Sequence, residues 1–293
     1  MFLRCAIAAL AACWGTAAMA GGLVFCDRAA EITAGDQDRM LRFSAVVKQE
    51  LERTGARAAL VSRAGTDLSR FGIRYSHAGI ALRDSPNAPW SVRQLYYACD
   101  ESRPRLFDQG MPGFVLGADA AKLGYVSLVT LPAPQDAALE SAALDKPLAL
   151  TLLASDYSAN AYAWSTRYQN CNQWVMEMLA GAWGRRRGRD DAQHWLREQD
   201  YEPEAVQIPG HALMFAGQFI PLVHLSDHPR DDIYALKLRV SMPTSIEAFA
   251  RHEAPQAQRV EMCYNTQHMV VHHGWQPLGA DCEPMPGDEV IAF

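Results

Sequence analysis

The stretch YQNCNQWVMEML, residues 168–179, decides how the rest of the chain is read. Up to Asn170 it is polar and turn-like. From Cys171 onward the apolar residues Trp174, Val175, Met178 and Leu179 fall at helical spacing, so a helix with one face in a core is expected to begin at Cys171. A cysteine in the first turn of a helix can be a packed thiol, half of a disulfide, or a nucleophile whose thiolate the helix N-terminus favours. The choice depends on the compartment, on the other cysteines and on a histidine that could act as base.

Compartment is read from the first residues, MFLRCAIAALAACWGTAAMAGG. They hold one positive side chain, an apolar run and the small-x-small triplet Ala18, Met19, Ala20, the pattern of a secretory signal peptide cut after Ala20. No later stretch reaches the ~20 apolar residues needed to span a bilayer. A periplasmic or secreted protein with no stable membrane span after cleavage is therefore expected. Composition is globular, with 49% apolar and 20% charged residues and a net charge of -6. No basic excess exists for nucleic-acid binding, and the run GRRRGR at 184–189 reads as a solvated turn because Asp190 and Asp191 follow at once.

The seven cysteines sharpen this. Cys5 and Cys13 leave with the signal segment, and an odd set remains: Cys26, Cys99, Cys171, Cys263 and Cys282. In an oxidising compartment two bridges and one free thiol are expected. Sequence layout favours Cys26–Cys99 and Cys263–Cys282, which leaves Cys171 reduced.

Around this motif the chain alternates helix and strand signals. Residues 36–54 carry Met40, Phe43, Val47 and Leu51 at helical spacing, and Gly55 ends that helix. Strands are expected at 56–65, 76–84, 89–99 and 125–131, with a helix from 132, another at 190–201, and a strand then a helix within 233–252. The tail beyond 254 holds two cysteines and the run HMVVHH, and reads as a loosely attached segment. A single α+β domain follows.

Among the histidines His77, in YSHAGIAL, is the candidate base for Cys171, because Ala78 and Gly79 leave room beside the ring. A histidine satisfied by a backbone partner is the ordinary alternative. HMVVHH at 268–273 concentrates imidazoles but lacks a matching carboxylate or cysteine set, so no metal or other cofactor is expected. In SDHPRDD, 226–232, a Pro turn with Asp227 capping locally is expected, ahead of a catalytic part for Asp227 or His228.

YSHAGIAL with YQNCNQWVMEML, together with FGIRYSHAG and SDHPRDDIYALKL, resembles the DUF2145 family of exported bacterial proteins. More remotely, a strand histidine followed by a helix-start cysteine is similar to the circularly permuted NlpC/P60 papain-like superfamily. That resemblance implies a permuted papain-like core with an antiparallel sheet packed against the cysteine helix. With it, the expected domain map is 1–20 signal peptide, 21–253 permuted papain-like α+β domain and 254–293 disulfide-linked C-terminal extension. The function implied is a thiol-dependent hydrolase or acyltransferase acting on an amide or ester in the cell envelope, with catalytic Cys171 and His77. Its substrate would be a peptide, peptidoglycan or an acylated envelope component. The third, ring-orienting residue has no acid or histidine to fill it; the next strand offers Gln94 or Tyr96. The pair is expected to face each other at about 3–4 Å. A ligand-binding or structural envelope protein on the same scaffold, with Cys171 as a packed thiol, is the alternative.

Overall fold

The computed structural model describes residues 32–118 and 120–293. The signal-peptide stretch and Cys26 lie outside them. Helix α1 (Ala34–Arg53) begins where the Thr33 hydroxyl accepts from the Asp36 amide, and its buried stripe is Met40, Phe43, Val47 and Leu51, as the spacing predicts. Gly55, at φ 69°, lets the chain reverse into the sheet.

Eight strands form one antiparallel sheet: β1 (Ala58–Arg63), β2 (His77–Leu82), β3 (Ser91–Ala98), β4 (Arg103–Gln109), β5 (Gly124–Thr130), β8 (Gln258–Tyr264), β9 (His268–His273) and β10 (Glu289–Ala292). Their order is β10-β9-β8-β5-β1-β2-β3-β4. Strands β6 (Glu204–Gln207) and β7 (Lys237–Val240) pair separately. The helices after α1 are α2 (Met111–Leu116), α3 (Ala133–Leu144), α4 (Lys146–Thr151), α5 (Cys171–Trp183), α6 (Arg189–Glu198), α7 (His211–Gly217), α8 (Arg230–Tyr234) and α9 (Pro243–Glu253).

Helices cover both faces of the sheet, which explains why every residue of β1 and β2 is buried. On one face Ala58, Leu60, Ala78, Ile80, Leu82 and Leu95 pack against α3, α5, α6 and α9. On the other, Ala59, Val61, Ala81 and Val92 pack against α1 and α2. Strand alternation does the sorting, since successive side chains point to opposite faces. The result is a mixed α+β fold with helices packed on a sheet, and the cysteine helix lies on one side of it.

Helix α5 is apolar almost all round and is buried accordingly. Its start is fixed by Asn170, whose side-chain oxygen accepts from the Gln173 amide at 2.7 Å. One acid is buried within it: Glu177, which takes hydrogen bonds from Arg189 Nε (2.8 Å), Gln169 (2.6 Å) and Gln193 (2.8 Å).

The segment after residue 253 is part of the sheet, where a loosely attached tail was expected. β8 pairs with β5, and β9 and β10 continue outward from it. The reason is visible in β8. Glu261 is fully buried and receives Arg259, Arg74, Tyr75 and the Leu278 amide, which locks the segment to the approach to β2. Cys263 and Cys282 are joined in a disulfide, as expected, and it closes the tail on itself. Breaking that bond by Cys263→Ala with Cys282→Ala is expected to cost about 3 kcal/mol for its loop length, read from urea unfolding of the two proteins.

Candidate functional site

Cys171 sits in the first turn of α5, as its sequence context predicts, and it is the free cysteine among the described residues. It is 5% exposed. Its thiol lies 3.6 Å from the Asn172 side-chain oxygen and 4.0 Å from the Ser76 carbonyl, both acceptors for S–H. Burial pushes the thiol pKa up to about 11, against the smaller lowering effects of nearby backbone groups and Arg63. At neutral pH this is a protonated, packed thiol.

His77 opens β2 and is also buried. Ala78 joins Cys171 in the core on the α5 side, so alternation turns His77 to the opposite face. There its ring stacks on Tyr96 with centroids 4.6 Å apart and lies 6.0 Å from Phe114 of α2. Gln94 gives its amide N–H to Gln109 at 2.8 Å. Its carbonyl is thereby left to accept from His77 Nε2 at 2.6 Å. Burial, and then the Arg63 guanidinium, lower the His77 pKa to about 3. Gln94 and Tyr96, the two partners the neighbouring strand offered, both contact the ring. Cys171 does not: no hydrogen bond joins the pair among the described residues. Gly79 shares the His77 face, and a Cβ there would stand 2.5 Å from Val92 Cγ1, so its smallness serves β3 and not α5.

These findings correct the thiol-dependent hydrolase or acyltransferase expectation, and with it the description of the chain as a cysteine hydrolase. Cys263 and Cys282 are spent in a disulfide and Cys99 is disulfide-bonded. Cys171 is a buried neutral thiol with no imidazole to take its proton. Nucleophilic catalysis needs a thiolate and a base within reach. No group of three or more His, Cys, Asp or Glu able to hold a metal occurs among the described residues either. HMVVHH is strand β9, where His268 meets the Cys282 carbonyl at 3.1 Å and His272 Nδ1 meets Asp288 at 2.6 Å. Asp227 accepts from the Tyr162 amide at 2.9 Å, and His228 Nε2 donates to the Asn160 carbonyl at 2.7 Å. Both residues of SDHPRDD therefore hold the loop that leads into α5, and Pro229 caps α8.

The β3–β4 edge of the sheet carries a feature that sequence reading passed over. A cleft of about 500 Å3 is lined by Tyr96, Tyr97, Phe107, Asp108, Gln109 and Gly117, with Ala98, Cys99 and Asp100 at its end. β4, the edge strand of the sheet, supplies Phe107, which is 44% exposed. Arg63 lies beneath, giving a hydrogen bond to the Tyr96 hydroxyl. The sequence signal was an arginine ending an otherwise apolar strand, ALVSR, at a position whose parity matches the buried Ala59 and Val61.

Residues 50–250 match the family model described as "Uncharacterized protein conserved in bacteria (DUF2145)". The chain belongs to the DUF2145 family. The match ends before β8, so the last three strands lie outside it. No curated protein matches the chain. Among solved structures it is similar to the metalloprotein yiiX from Escherichia coli O157:H7, DUF1105. That likeness has 13% identity and a TM-score of 0.39, over 70% of this chain and 96% of that one.

Proposed function

We propose that this DUF2145 protein is a non-catalytic ligand-binding protein of the cell envelope. Its scaffold is read as a permuted papain-like core, with residues 21–253 as the binding domain and 254–293 as an extension. One observation carries the reading. The open aromatic cleft runs along the β3–β4 edge of the sheet, and its lining holds rings and amides but neither Cys171 nor His77, so a ligand there meets no nucleophile. His77 and Cys171 act in this reading as packed residues that hold the start of β2 between the two cores.

Export to the periplasm or medium belongs to the same proposal. The bonded state of Cys99, Cys263 and Cys282 supports it, because disulfides persist in oxidising compartments. Fractionation of cells expressing the full chain should recover it in the periplasm or medium with Gly21 as its first residue. A cytoplasmic protein starting at Met1 would refute the export reading.

Peptides, muropeptides and acylated lipopeptides are the ligands to try, with amide chemical shifts as the map. Saturable binding should move resonances of β3, β4 and α2. Tyr97→Ala or Phe107→Ala should weaken it about 10-fold, the scale of losing one buried aromatic contact. Cys171→Ala should bind as the parent does and lose about 1 kcal/mol of stability through its small cavity. Turnover of any of these compounds that vanishes in Cys171→Ala would overturn the proposal.

A further inference from the structure

Helix α7 and the turn after it differ from the rest of the surface. Residues 205–226, AVQIPGHALMFAGQFIPLVHLS, carry no Asp, Glu, Lys or Arg, although 20% of the chain is charged and a stretch of this length would ordinarily hold about four such residues. Met214 anchors the helix, packing with Ile208, Leu225, Leu238 and Val240 in a small core of their own. Phe215 and Phe219 lie outside that core. They are 60% and 73% exposed, the most exposed phenylalanines among the described residues, and their ring centroids are 5.3 Å apart. α7 is thus apolar on its buried side and on its open side, and a helix apolar all round is ordinarily covered.

Three properties of this face select its cover. The backbone beneath the rings is closed. The amides of Met214, Gln218, Phe219, Ile220 and Val223 each donate to a carbonyl three or four residues earlier, Pro221 has none to give, and the Leu222 carbonyl takes the Ala159 amide at 2.7 Å. Such a surface can enter a medium that offers no hydrogen bonds. A protein partner forms about one hydrogen bond per 100–200 Å2 of interface, and this face presents few groups to form them. In charge, the face matches the neutral acyl boundary of a bilayer, whereas a protein surface brings charged groups that would lose water here without gaining a partner. In area, it falls short of a second copy of the chain. The exposed parts of the two rings come to at most about 330 Å2, while a stable dimer buries about 800 Å2 per subunit.

We infer that α7 and the turn after it dock this protein on a phospholipid bilayer, with Phe215 and Phe219 seated among the upper acyl-chain carbons. The contact is shallow, since no helix among the described residues is long and apolar enough to cross a membrane. With no basic residue in the run, attachment is reversible and indifferent to lipid charge. The β3–β4 cleft takes no part in it.

The test floats the full mature chain with phosphatidylcholine vesicles at low and high salt. Part of the protein should float, equally at both, and vesicles that also contain phosphatidylglycerol should capture no more. Phe215→Ser and Phe219→Ser should each lower the partition coefficient about 10-fold, the scale of returning most of one aromatic side chain to water, with urea stability unchanged. Val290→Ser, which removes an apolar side chain of similar exposure (51%) from β10, should float as the parent does. Phe219→Trp should gain a fluorescence component, missing from the parent, that lipids brominated high on the acyl chain quench. Failure to float, flotation unchanged in both serine variants, or flotation lost at high salt would each overturn the docking. A concentration-dependent dimer in sedimentation that Phe219→Ser disperses would assign the face to a second copy instead. Marked destabilisation by both serine replacements would show that the rings are covered within the protein, and would overturn it as well.

Discussion

Replacing Arg189 by alanine is expected to destabilise the protein by about 3–5 kcal/mol, the cost of leaving a buried charge without its partner. Glu177 is fully buried and its carboxylate is held by Arg189 Nε at 2.8 Å. Arg189 also donates to the Tyr168 carbonyl at 2.9 Å and the Thr166 carbonyl at 2.5 Å, so one side chain ties α6 both to α5 and to the loop before Cys171. Gln169 and Gln193 would still donate to Glu177 in the variant, but neither carries a charge. Burial already raises the Glu177 pKa, and Arg189 is the largest influence lowering it. Without Arg189 the carboxyl should titrate higher still, so the deficit should shrink as pH falls and Glu177 takes up a proton. The double replacement Arg189→Met with Glu177→Gln should lose less than Arg189→Ala alone. Urea unfolding at pH 7 and pH 5 checks both statements, and a loss below about 1 kcal/mol, the exposed-pair scale, would show that the pair is not buried in solution.

The consequence reaches the candidate site. The loop that Arg189 holds carries Asn170, the cap of α5, and the cap fixes where Cys171 meets β2. Loosening this network is therefore the change most able to expose Cys171. Faster labelling of that thiol by iodoacetamide in Arg189→Ala should accompany the loss of stability.

Much of the fold was legible because its inner elements carry clean periodicities. α1, β1, β2, β3, β5, α3, α5, α6 and α9 fall where apolar spacing predicts, since each buries a stripe or a face. β4 was missed for a physical reason: as the edge strand it pairs on one side, and so tolerates Arg103, Pro104 and Arg105 in its ladder. The strand expected from residue 233 starts at Lys237 because Pro229 initiates the short helix α8 first. β8 was hidden by its buried Arg259 and Glu261, whose charges look like surface until their partners are known. At the site, the residue types around His77 were readable, and Gln94 and Tyr96 do meet its ring. The face was not. A phase difference of one residue along β2 decides whether His77 or Ala78 looks at α5, and no composition signal sets that phase. Arg63 was passed over for a related reason, because its burial depends on the cover that α2 provides.

Between pH 6.5 and pH 4.5, His77 is expected to lower stability by about 2.3 kcal/mol, the slope steepening towards roughly 1.4 kcal/mol per pH unit below pH 6. The sign follows from proton uptake. In the unfolded chain the imidazole titrates near ~6.5, whereas in the folded protein burial, then Arg63, hold it at about 3. Below the unfolded pKa only the unfolded chain gains the proton, so stability is full above that pH and falls as pH falls towards the folded value. His77 is 7% exposed, so little solvent screening reduces the effect. His228, also lowered by burial, contributes in the same direction. The measurement is therefore a difference: His77→Gln, which keeps a donor for Gln94 and does not titrate, should show a shallower decline than the parent. Parallel declines over pH 6.5–5 would mean that His77 is protonated in the folded state and exposed to solvent.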